Sequence, residues 1–516
     1  MLYLATIFHM HQPYYKNLLT QEAQVPWVRL HGTKDYLDMV EMLERFPAVH
    51  QSFNLVPSLI EQIEDYLNHS VKDKFWEYSL KPAAQLSDQE KVFILNNFFS
   101  IFKEKVIAIH PRYYELYFKK ESRQELSTQD FLDLQLWFNL AWIDPKFRLE
   151  DTGLKAIVNK GRFFTEEEKQ KVLYKQLDIL KEIIPTYKKF ISSGQIEVTT
   201  TPFYHPILPL LCSTNIAKEA NTRTVLPKTE FKYPEDAKAQ IDSAAHFFES
   251  RLGVPIEGMW PSEQGVSEHI LPFLIEAGVK WIVADEGILF KSLKKKKRDT
   301  TLLYQPHLLK RGEGSLNIVF RDRNLSDLIG FVYHSWKAEN ASDDLLSHLK
   351  NIANSFKDED ILVTIAMDGE NAWEYFTNDG RDFLELFYKK LSEADFLKTT
   401  TVAKYLEAHP AKHQIKRIAA GSWIYSEFGK WIGNPVKVRA WEYLAKARAE
   451  LEKIKIKDPH TRELAWKQMY ICEGSDWFWW YGENHEDFDR LFRMHLSNFY
   501  TLIGKSAPEY LNKPIV

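Results

Sequence analysis

Short apolar runs alternate with long amphipathic segments over most of this 516-residue chain. This alternation is typical of parallel β/α architecture, in which each buried strand is followed by a covering helix. The runs that we interpret as strands are Tyr3 to Phe8, Val49 to Leu55, Leu136 to Trp142, Ile196 to Thr201, Glu257 to Trp260, Trp281 to Ala284, Asn317 to Phe320 and Ile361 to Met367.

Several of these runs end in a polar or charged residue. The residues concerned are His9, Asn54, Asp144, Glu263, Asp285, Arg321 and Asp368. In a barrel of parallel strands, residues just past the carboxyl ends converge on one face, and that face carries the site. The pattern therefore predicts an α/β barrel with a functional site built from these strand ends.

Helical segments surround the predicted strands. Capping boxes at Ser87 to Glu90 and Thr165 to Glu168 mark two helix starts, the second helix closing near Gly194. We expect residues 1–400 to form the barrel, with helical insertions around 60–135 and 144–195, and residues 401–516 to form an all-α domain. Its predicted helices are Val436 to Ile454, Thr461 to Cys472 and His485 to Leu502.

Composition narrows the range of partners. The formal charge of −4, from 67 basic and 71 acidic residues, favours neither nucleic acid nor an anionic membrane as a partner. No apolar stretch approaches the roughly 20 residues that cross a bilayer. The amino terminus has no basic leader, and Cys212 and Cys472 are too few for a disulfide framework. We therefore expect a cytoplasmic protein.

Two acidic segments each place a carboxylate beside tryptophan at a strand end. They are Gly258-Met-Trp-Pro-Ser-Glu263-Gln-Gly-Val and Ile365-Ala-Met-Asp368-Gly-Glu370-Asn-Ala-Trp373. Sugar chemistry uses two carboxyl groups at one site and aromatic faces for the rings. Taken singly, Glu263 is equally explained as a helix cap or salt-bridge partner, and the second segment as a divalent-cation loop.

The first predicted strand ends in His9-Met-His11-Gln12-Pro13. One or both histidines can contact a substrate, or they can ligate a metal together with His205, His334 or the acidic residues. Because the motif follows the first strand, where a barrel site lies, we favour substrate contact over metal.

Four motifs together resemble glycoside hydrolase family 57, in order and approximate spacing. They are His9-Met-His11-Gln12-Pro13, Gly194-Gln-Ile-Glu-Val, Trp260-Pro-Ser-Glu263 and Met367-Asp368-Gly-Glu370. Two further segments resemble the amylopullulanase-like branch of that family: Phe320-Arg-Asp-Arg-Asn-Leu-Ser-Asp327-Leu-Ile-Gly-Phe and Glu473-Gly-Ser-Asp476-Trp477-Phe-Trp-Trp-Tyr-Gly.

The resemblance implies an incomplete (β/α)7 barrel followed by a helical domain, acting on α-glucans with retention of configuration and with no catalytic metal or other cofactor. It assigns Glu263 as nucleophile and Asp368 as general acid/base. The residues that it and their position suggest as substrate contacts are His9, His11, Gln12, Trp260, Glu370, Trp373, Asp476 and Trp477. The expected partner is an α-glucan or maltooligosaccharide, not nucleic acid or membrane.

This assignment requires a protonated Asp368 and an ionised Glu263, with carboxyl groups about 5 to 5.5 Å apart. We expect an α-amylase or amylopullulanase type of hydrolase. The alternatives are a 4-α-glucanotransferase or branching enzyme, a metal-dependent carbohydrate hydrolase or deacetylase, and a non-catalytic glucan-binding protein. Acceptor-side aromatic residues would favour transfer, although each candidate taken singly is more typical of a core: Trp423, Trp431, Trp477 and Trp479.

Overall fold

The computed structural model describes residues 1–357, 359–483 and 486–515. Within them, seven strands form a parallel barrel, which confirms the predicted fold class. We number these strands in chain order: β1 Leu2–Met10, β2 Gln51–Leu55, β3 Ile196–Thr199, β4 Gly258–Met259, β5 Trp281–Asp285, β6 Gly314–Arg321 and β7 Ile361–Asp368.

The barrel closes through two thin seams. In the first half of the sheet, strand β1 pairs with β7 on one side and with β2 on the other, and β2 pairs with β3. Strands β4, β5 and β6 pair in turn. Single residue pairs join the two halves, Thr200 with Met259 at one seam and Arg321 with Thr364 at the other. The sheet is therefore a nearly closed barrel.

The strand interiors are buried, as expected for strands covered by helices on the outside and packed within the barrel. All nine residues of β1 except Tyr3 are buried, and seven of the eight residues of β7 are. The register pairs His9 with Asp368 at the carboxyl ends of these two strands. Two motifs more than 350 residues apart thus lie side by side.

The predicted strand Leu136 to Trp142 is wrong. These residues belong to the helix Thr128–Ala141, which begins with a capping box between Ser127 and Asp130. Twelve of its fourteen residues are buried, so the sequence lacks the polar stripe that normally reveals a helix. Asp144 is consequently not a strand end; it caps the next helix by accepting a hydrogen bond from the Lys146 amide.

Because that strand does not exist, the region between β2 and β3 is one continuous helical segment rather than two insertions. Both predicted capping boxes are confirmed, at Ser87 with Glu90 and at Thr165 with Glu168. The α-helices from β1 to β3 are Trp27–Lys34, Asp38–Met42, Pro57–Leu67, Lys74–Leu80, Asp88–Asn97, Pro111–Glu121, Thr128–Ala141, Pro145–Glu150, Thr152–Lys160 and Glu166–Ser192.

Helices also follow the later strands. Up to residue 408 they are Leu208–Cys212, Ala217–Ala220, Pro234–Leu252, Leu271–Glu276, Glu286–Ser292, Thr300–Leu303, Arg323–Asp327, Ala338–Ser355, Asn371–Glu374, Arg381–Glu393 and Val402–Ala408. Short strands outside the barrel are Lys16–Asn17, Glu22–Ala23, Lys72–Asp73, His307–Arg311, Leu397–Thr399 and His413–Gln414.

The carboxyl-terminal region is helical, as predicted. Its α-helices are Pro435–Lys453, Pro459–Cys472, Ser475–Trp480 and Glu486–Leu502; His485, the predicted start of the last one, lies outside the described residues. The segment before them still attaches to the barrel through a bridge between Gly421 and Val266. The domain boundary at residue 400 stays a prediction.

Two further sequence expectations concern the membrane and the thiols. Among the described residues, no helix is both long enough and apolar enough to cross a bilayer. Cys212 and Cys472 are buried free thiols.

Candidate active site

A cavity of about 570 Å³ opens at the carboxyl ends of β1 and β7. Strand ends supply its polar floor, and helices from distant parts of the chain supply its walls. The residues that line it are His9, His11, Gln12, Pro13, Tyr15, Trp27, His31, Ser100, Ile101, Phe102, Trp142, His205, Glu263, Asp368, Glu370, Glu374, Tyr375, Trp423, Asp476, Trp479, Trp480 and Phe488.

Glu263 follows β4 on a tight turn, Ser262–Gln264. Glu263 and Gln264 both have left-handed backbones, with φ of 57° and 49°, which is strained for residues other than glycine. Trp423 holds the turn twice: its amide donates to the Glu263 carbonyl at 3.1 Å, and its indole Nε1 donates to Oε2 at 2.8 Å. The surrounding structure therefore fixes the Glu263 carboxyl group.

The pKa of Glu263 is raised to about 8. Burial is the largest cause, followed by the negative charges of Asp368 and Asp476; the hydrogen bonds from Trp423 and Ser475 act in the opposite direction. A carboxyl group with this pKa is mostly protonated at neutral pH. Glu263 and Asp368 are therefore close enough for the charge of one to govern the protonation of the other.

Asp368 ends β7 beside His9, and the next residues turn sharply into the cavity. The amide of Gly369 donates to the His9 carbonyl at 2.8 Å. A β-carbon at this glycine would lie 2.3 Å from the Met10 sulfur, so the close approach of the two strand ends requires glycine. The turn aims Glu370 back towards the first motif.

Glu370 holds that motif in place. One of its oxygens accepts a hydrogen bond from the His11 amide at 2.7 Å. Its pKa is raised well above the ordinary value, by burial first and then by the charges of Asp368 and Asp35, with the Tyr36 hydroxyl opposing the shift. Glu370 therefore joins Glu263 as a second buried carboxyl group that favours its protonated form.

Three histidine rings that line the cavity stack on one another, and one of them, His9, also stacks on Trp260. His9 lies 4.8 Å from the indole, and His205 lies 5.2 Å from His9 and 3.9 Å from His11, measured between ring centroids. Burial lowers the pKa of His9 to about 3, with the charge of His11 adding to the effect. His205 is also shifted well below its usual pKa by burial and by both neighbours. At neutral pH, His9 and His205 are uncharged.

The hydrogen-bond partner of His9 determines which of its ring nitrogens carries the proton. Its Nδ1 lies 2.6 Å from Asn54 Oδ1, which also accepts a hydrogen bond from the Thr201 hydroxyl at 2.9 Å. Because this oxygen accepts, Nδ1 carries the proton. The other ring nitrogen, Nε2, is left as an acceptor for a hydroxyl donor.

The helix Ser475–Trp480 brings the carboxyl-terminal region to the cavity. Asp476 Oδ1 lies 2.9 Å from His11 Nε2, and the Ser475 hydroxyl lies 2.8 Å from His205 Nδ1. His11, His205 and Asp476 offer ligand atoms within 4.8 Å of one another. His11 Nδ1 and His205 Nε2 are buried and have no hydrogen-bond partner among the described residues. These residues can therefore receive either a metal ion or substrate hydroxyls.

Of the predicted site residues, seven line the cavity: His9, His11, Gln12, Glu263, Asp368, Glu370 and Asp476. Trp260, Trp373 and Trp477 do not; they are almost fully buried behind its wall. Trp260 supports His9, whereas the Trp477 indole donates to the Ile471 carbonyl at 2.8 Å. These tryptophans can shape the site but do not face its open space.

Sequence reasoning missed most of the aromatic walls. Trp27 comes from the helix Trp27–Lys34 between β1 and β2, and Phe102 and Trp142 come from the helical segment. Tyr375 comes from the loop after β7, and Trp480 and Phe488 come from the carboxyl-terminal helices. No local motif marks these residues. The run ending at Trp142 was predicted as a strand, and nothing in the sequence singled out Trp27.

A barrel with paired carboxyl groups, uncharged histidines and aromatic walls defines a class of carbohydrate-active enzyme. The model of glycosyl hydrolase family 57 matches residues 5–418. The chain belongs to this family.

Curated relatives at low identity include α-amylase 1 of Dictyoglomus thermophilum, 24% identical over 267 residues, and an α-amylase of Pyrococcus horikoshii, 22% identical over 255 residues. These matches span 51% and 48% of this chain and 34% of each relative, so the chain corresponds to about a third of their length.

Solved structures extend the likeness over nearly the whole chain. A family 57 branching enzyme from Pyrococcus horikoshii has a TM-score of 0.64 at 16% identity, covering 97% of this chain and 89% of that one. An α-amylase from Thermotoga maritima has a TM-score of 0.62 at 14% identity, covering 97% and 92%. At these identities the likeness shows the fold.

Proposed function

We propose that this protein is a retaining glycoside hydrolase that acts on α-glucans, with Glu263 as nucleophile and Asp368 as general acid/base. The observation that carries the proposal is the meeting of both carboxyl groups in one aromatic-walled cavity, where the charge of Asp368 raises the pKa of Glu263. The α-amylases among the relatives support α-glucans as the substrate class.

In the proposed reaction, the glycosidic oxygen takes the proton of Asp368 while the carboxylate of Glu263 bonds to the anomeric carbon. The alcohol of the leaving sugar departs. Asp368, now ionised, removes a proton from water, whose oxygen displaces Glu263 and restores the starting state. Uncharged His9 and His205 are suited to hydrogen-bond sugar hydroxyls without competing for this proton.

The Glu263 carboxyl group must lose its proton before it can attack the anomeric carbon. With a pKa of about 8, Glu263 holds it most of the time at neutral pH, whereas the reaction needs it on Asp368. We propose that substrate binding moves the proton, because a glycosidic oxygen beside Asp368 is a hydrogen-bond acceptor that stabilises the protonated form of that group.

The proposal is tested with Glu263→Ala and Asp368→Ala on maltoheptaose. Both variants should lose about 10²- to 10⁴-fold in kcat. With an aryl maltoside that needs little acid assistance, azide should rescue Asp368→Ala and yield a glycosyl azide of the same anomeric configuration as the substrate, because azide displaces Glu263 from the face that water otherwise uses. Proton NMR of the first wild-type products should show the α-anomer. Activity surviving in Glu263→Ala, or a β-anomeric product, would refute the assignment.

Transfer to a second sugar is the alternative outcome for the same carboxyl pair. Of the acceptor-side candidates, Trp423 and Trp479 line the cavity, while Trp431 and Trp477 are buried in the core. Products longer than maltoheptaose would identify a 4-α-glucanotransferase or branching enzyme. Shorter ones support hydrolysis, and maltotriose from pullulan would indicate the α-1,6 cleavage of an amylopullulanase.

A metal-dependent reaction is the remaining alternative, given the grouping of His11, His205 and Asp476. The proposed reaction uses no metal ion, so prolonged treatment with a chelator should leave kcat unchanged. A loss of activity that zinc restores would favour the metal-dependent class. We also propose a cytoplasmic location, supported by the two free thiols.

A further inference from the structure

Large apolar side chains lie exposed on the surface just outside the cavity. Phe331 is 75% exposed and Trp336 is 45% exposed. Phe331 belongs to the π-helix Leu328–Val332, and Trp336 directly follows the 3-10 turn Tyr333–Ser335 that comes after it. Soluble proteins bury most side chains of this size, and exposed clusters mark binding surfaces.

This surface is continuous with the cavity. Tyr375 lines the cavity wall and is itself 47% exposed. Its ring lies 5.2 Å from Phe102 inside the wall and 5.9 Å from His334 outside it. The helix Asn371–Glu374, which precedes Tyr375, packs against the π-helix. A run of rings therefore leads from the cavity to the outer surface.

The backbone beneath these rings is firmly held. Tyr333 is fully buried, its hydroxyl donates to Asp344 at 2.7 Å, and its ring meets Trp336 edge-on at 5.4 Å. A β-carbon on Gly330 would meet nothing within 4 Å, so the surface beside Phe331 is open. The π-helices in the described chain, here and at Lys103–Ile107, each border the Phe102–Tyr375 pair in sequence or by packing, and such turns are frequent at functional sites.

We infer that Phe331, His334 and Trp336, here called the outer platform, bind an α-glucan chain whose end enters the cavity past Tyr375. This inference rests on the proposed function, because it extends the same substrate beyond the site of cleavage. Aromatic rings with wet edges suit the apolar faces and hydroxyl rims of sugar rings. The platform adds affinity for polymers that short oligosaccharides cannot use.

The charges around the platform favour an uncharged polymer. The exposed or half-exposed carboxylates among residues 327–344 are Asp327, Glu339, Asp343 and Asp344, against the single exposed lysine Lys337. Arg321 pairs with Asp327, and Lys390 pairs with Glu339 and Asp343, so little net charge is left around the platform. Carboxylates accept hydrogen bonds from sugar hydroxyls, whereas they repel anionic lipids and nucleic acids. The platform is therefore assigned to a polysaccharide rather than to a charged surface.

The test compares Phe331→Ala/Trp336→Ala with the control Phe163→Ala. Phe163 is 60% exposed on the helical segment and does not line the cavity. In native gels containing glycogen, the double variant should lose the retardation of the wild type, while the control keeps it. The kcat/KM of the double variant on soluble starch should fall about tenfold. Its kcat/KM on maltotetraose and its melting temperature should not change.

Several outcomes would overturn the platform: unchanged retardation of the double variant, an equal loss on starch and maltotetraose, or a wild-type dimer in sedimentation that the double variant cannot form. Retardation in dextran gels instead of glycogen gels would also contradict an α-1,4-glucan as the occupant. A failure of the proposed function can be told apart from a failure of the platform, because product release and retardation by glycogen are measured separately. If Glu263→Ala remains retarded by glycogen but the wild type releases no product from any α-glucan, glucan binding by the platform is supported and the proposed hydrolase activity is refuted.

Discussion

Two groups of buried or half-buried carboxyl groups lie close together at the carboxyl end of the barrel, and they differ in what surrounds them. The cleft group lines the cavity and comprises Glu263, Asp368, Glu370 and Asp476. The support group lies behind it and comprises Asp35, Asp38, Asp144 and Asp379 around the buried ammonium of Lys34.

Raised carboxyl pKa values occur in both groups. Burial and neighbouring acids raise the pKa of Asp144 to about 8 and that of Asp38 well above its usual value, much as they raise Glu263. Lys34, however, lies 2.8 Å from Asp35 and 2.5 Å from Asp379, while no described residue lining the cavity is a lysine or an arginine. A raised pKa therefore does not identify a reactive group; open space and the lack of a fixed cation do.

The support group also holds a strained loop. Asn378, Asp379 and Gly380 are consecutive residues with left-handed backbones. Their loop continues from the one that carries Tyr375, and the ion pair between Asp379 and Lys34 fastens it to the helix Trp27–Lys34. Here the buried charges stabilise a geometry, whereas in the cleft they are kept available for a substrate.

The largest effect should come from Glu263→Gln. We expect kcat to fall about 10⁴-fold while stability at pH 9 rises by on the order of 3 kcal/mol. The folded chain keeps the Glu263 proton up to about pH 8, and the unfolded chain releases it near 4.5. The wild type therefore loses stability as the pH rises from about 4.5 to 8, and the neutral amide removes this loss. Urea unfolding at pH 4.5 and pH 9 measures the difference.

The matched control is Glu374→Gln, which lines the same cavity but is 30% exposed. It should change neither the alkaline stability nor its pH dependence to a comparable extent. The difference in unfolding free energy between Glu263→Gln and the wild type should be larger at pH 9 than at pH 4.5. If it is the same at both pH values, burial does not raise the pKa of Glu263, and the contrast between the groups fails.

The next effect in size should come from Lys34→Met. Removing the ammonium leaves Asp35 and Asp379 buried without their cation, which should cost about 3 to 5 kcal/mol of unfolding free energy. The loss should be smaller at pH 5 than at pH 8, because burial raises the pKa of Asp379 to about 6 and this carboxyl group is largely protonated at pH 5. Urea unfolding measures it, and Lys189→Met is the control, since that lysine pairs with Glu44 on the surface. An equal, small effect of both variants would show that the support group needs no cation.

The sequence predicted the barrel well because its strands are short apolar runs with polar ends. β1 and β7 were each found to within two residues, and their ends, His9 and Asp368, are paired in the structure. The helix Thr128–Ala141 was missed for the opposite reason: buried on nearly every side, it has no polar face and looks like a strand.

The polar floor of the cavity was predictable, and its walls were not. Glu263 and Glu370 come shortly after strands, and the motifs that resemble the family singled them out. Whether a tryptophan beside such a residue faces the cavity depends on tertiary packing, which put Trp260 and Trp373 in the core. Trp142 reaches the cavity only because a helical segment docks across the strand ends, and no local pattern encodes that docking.

The smallest effect should come from Asp476→Asn. This variant gives the most specific test of how the carboxyl groups of the cleft group influence one another. The charge of Asp476 raises the pKa of Glu263, though less than burial and Asp368 do. Removing it should let Glu263 ionise at lower pH, so the whole pH profile of kcat/KM should move down by about half a unit. KM should also rise, because His11 loses its partner; the position of the profile, not its height, is therefore the measurement. Glu374→Gln should leave that position unchanged. A profile that stays fixed or moves up in Asp476→Asn would mean that the charge of Asp476 does not act on the titration of Glu263.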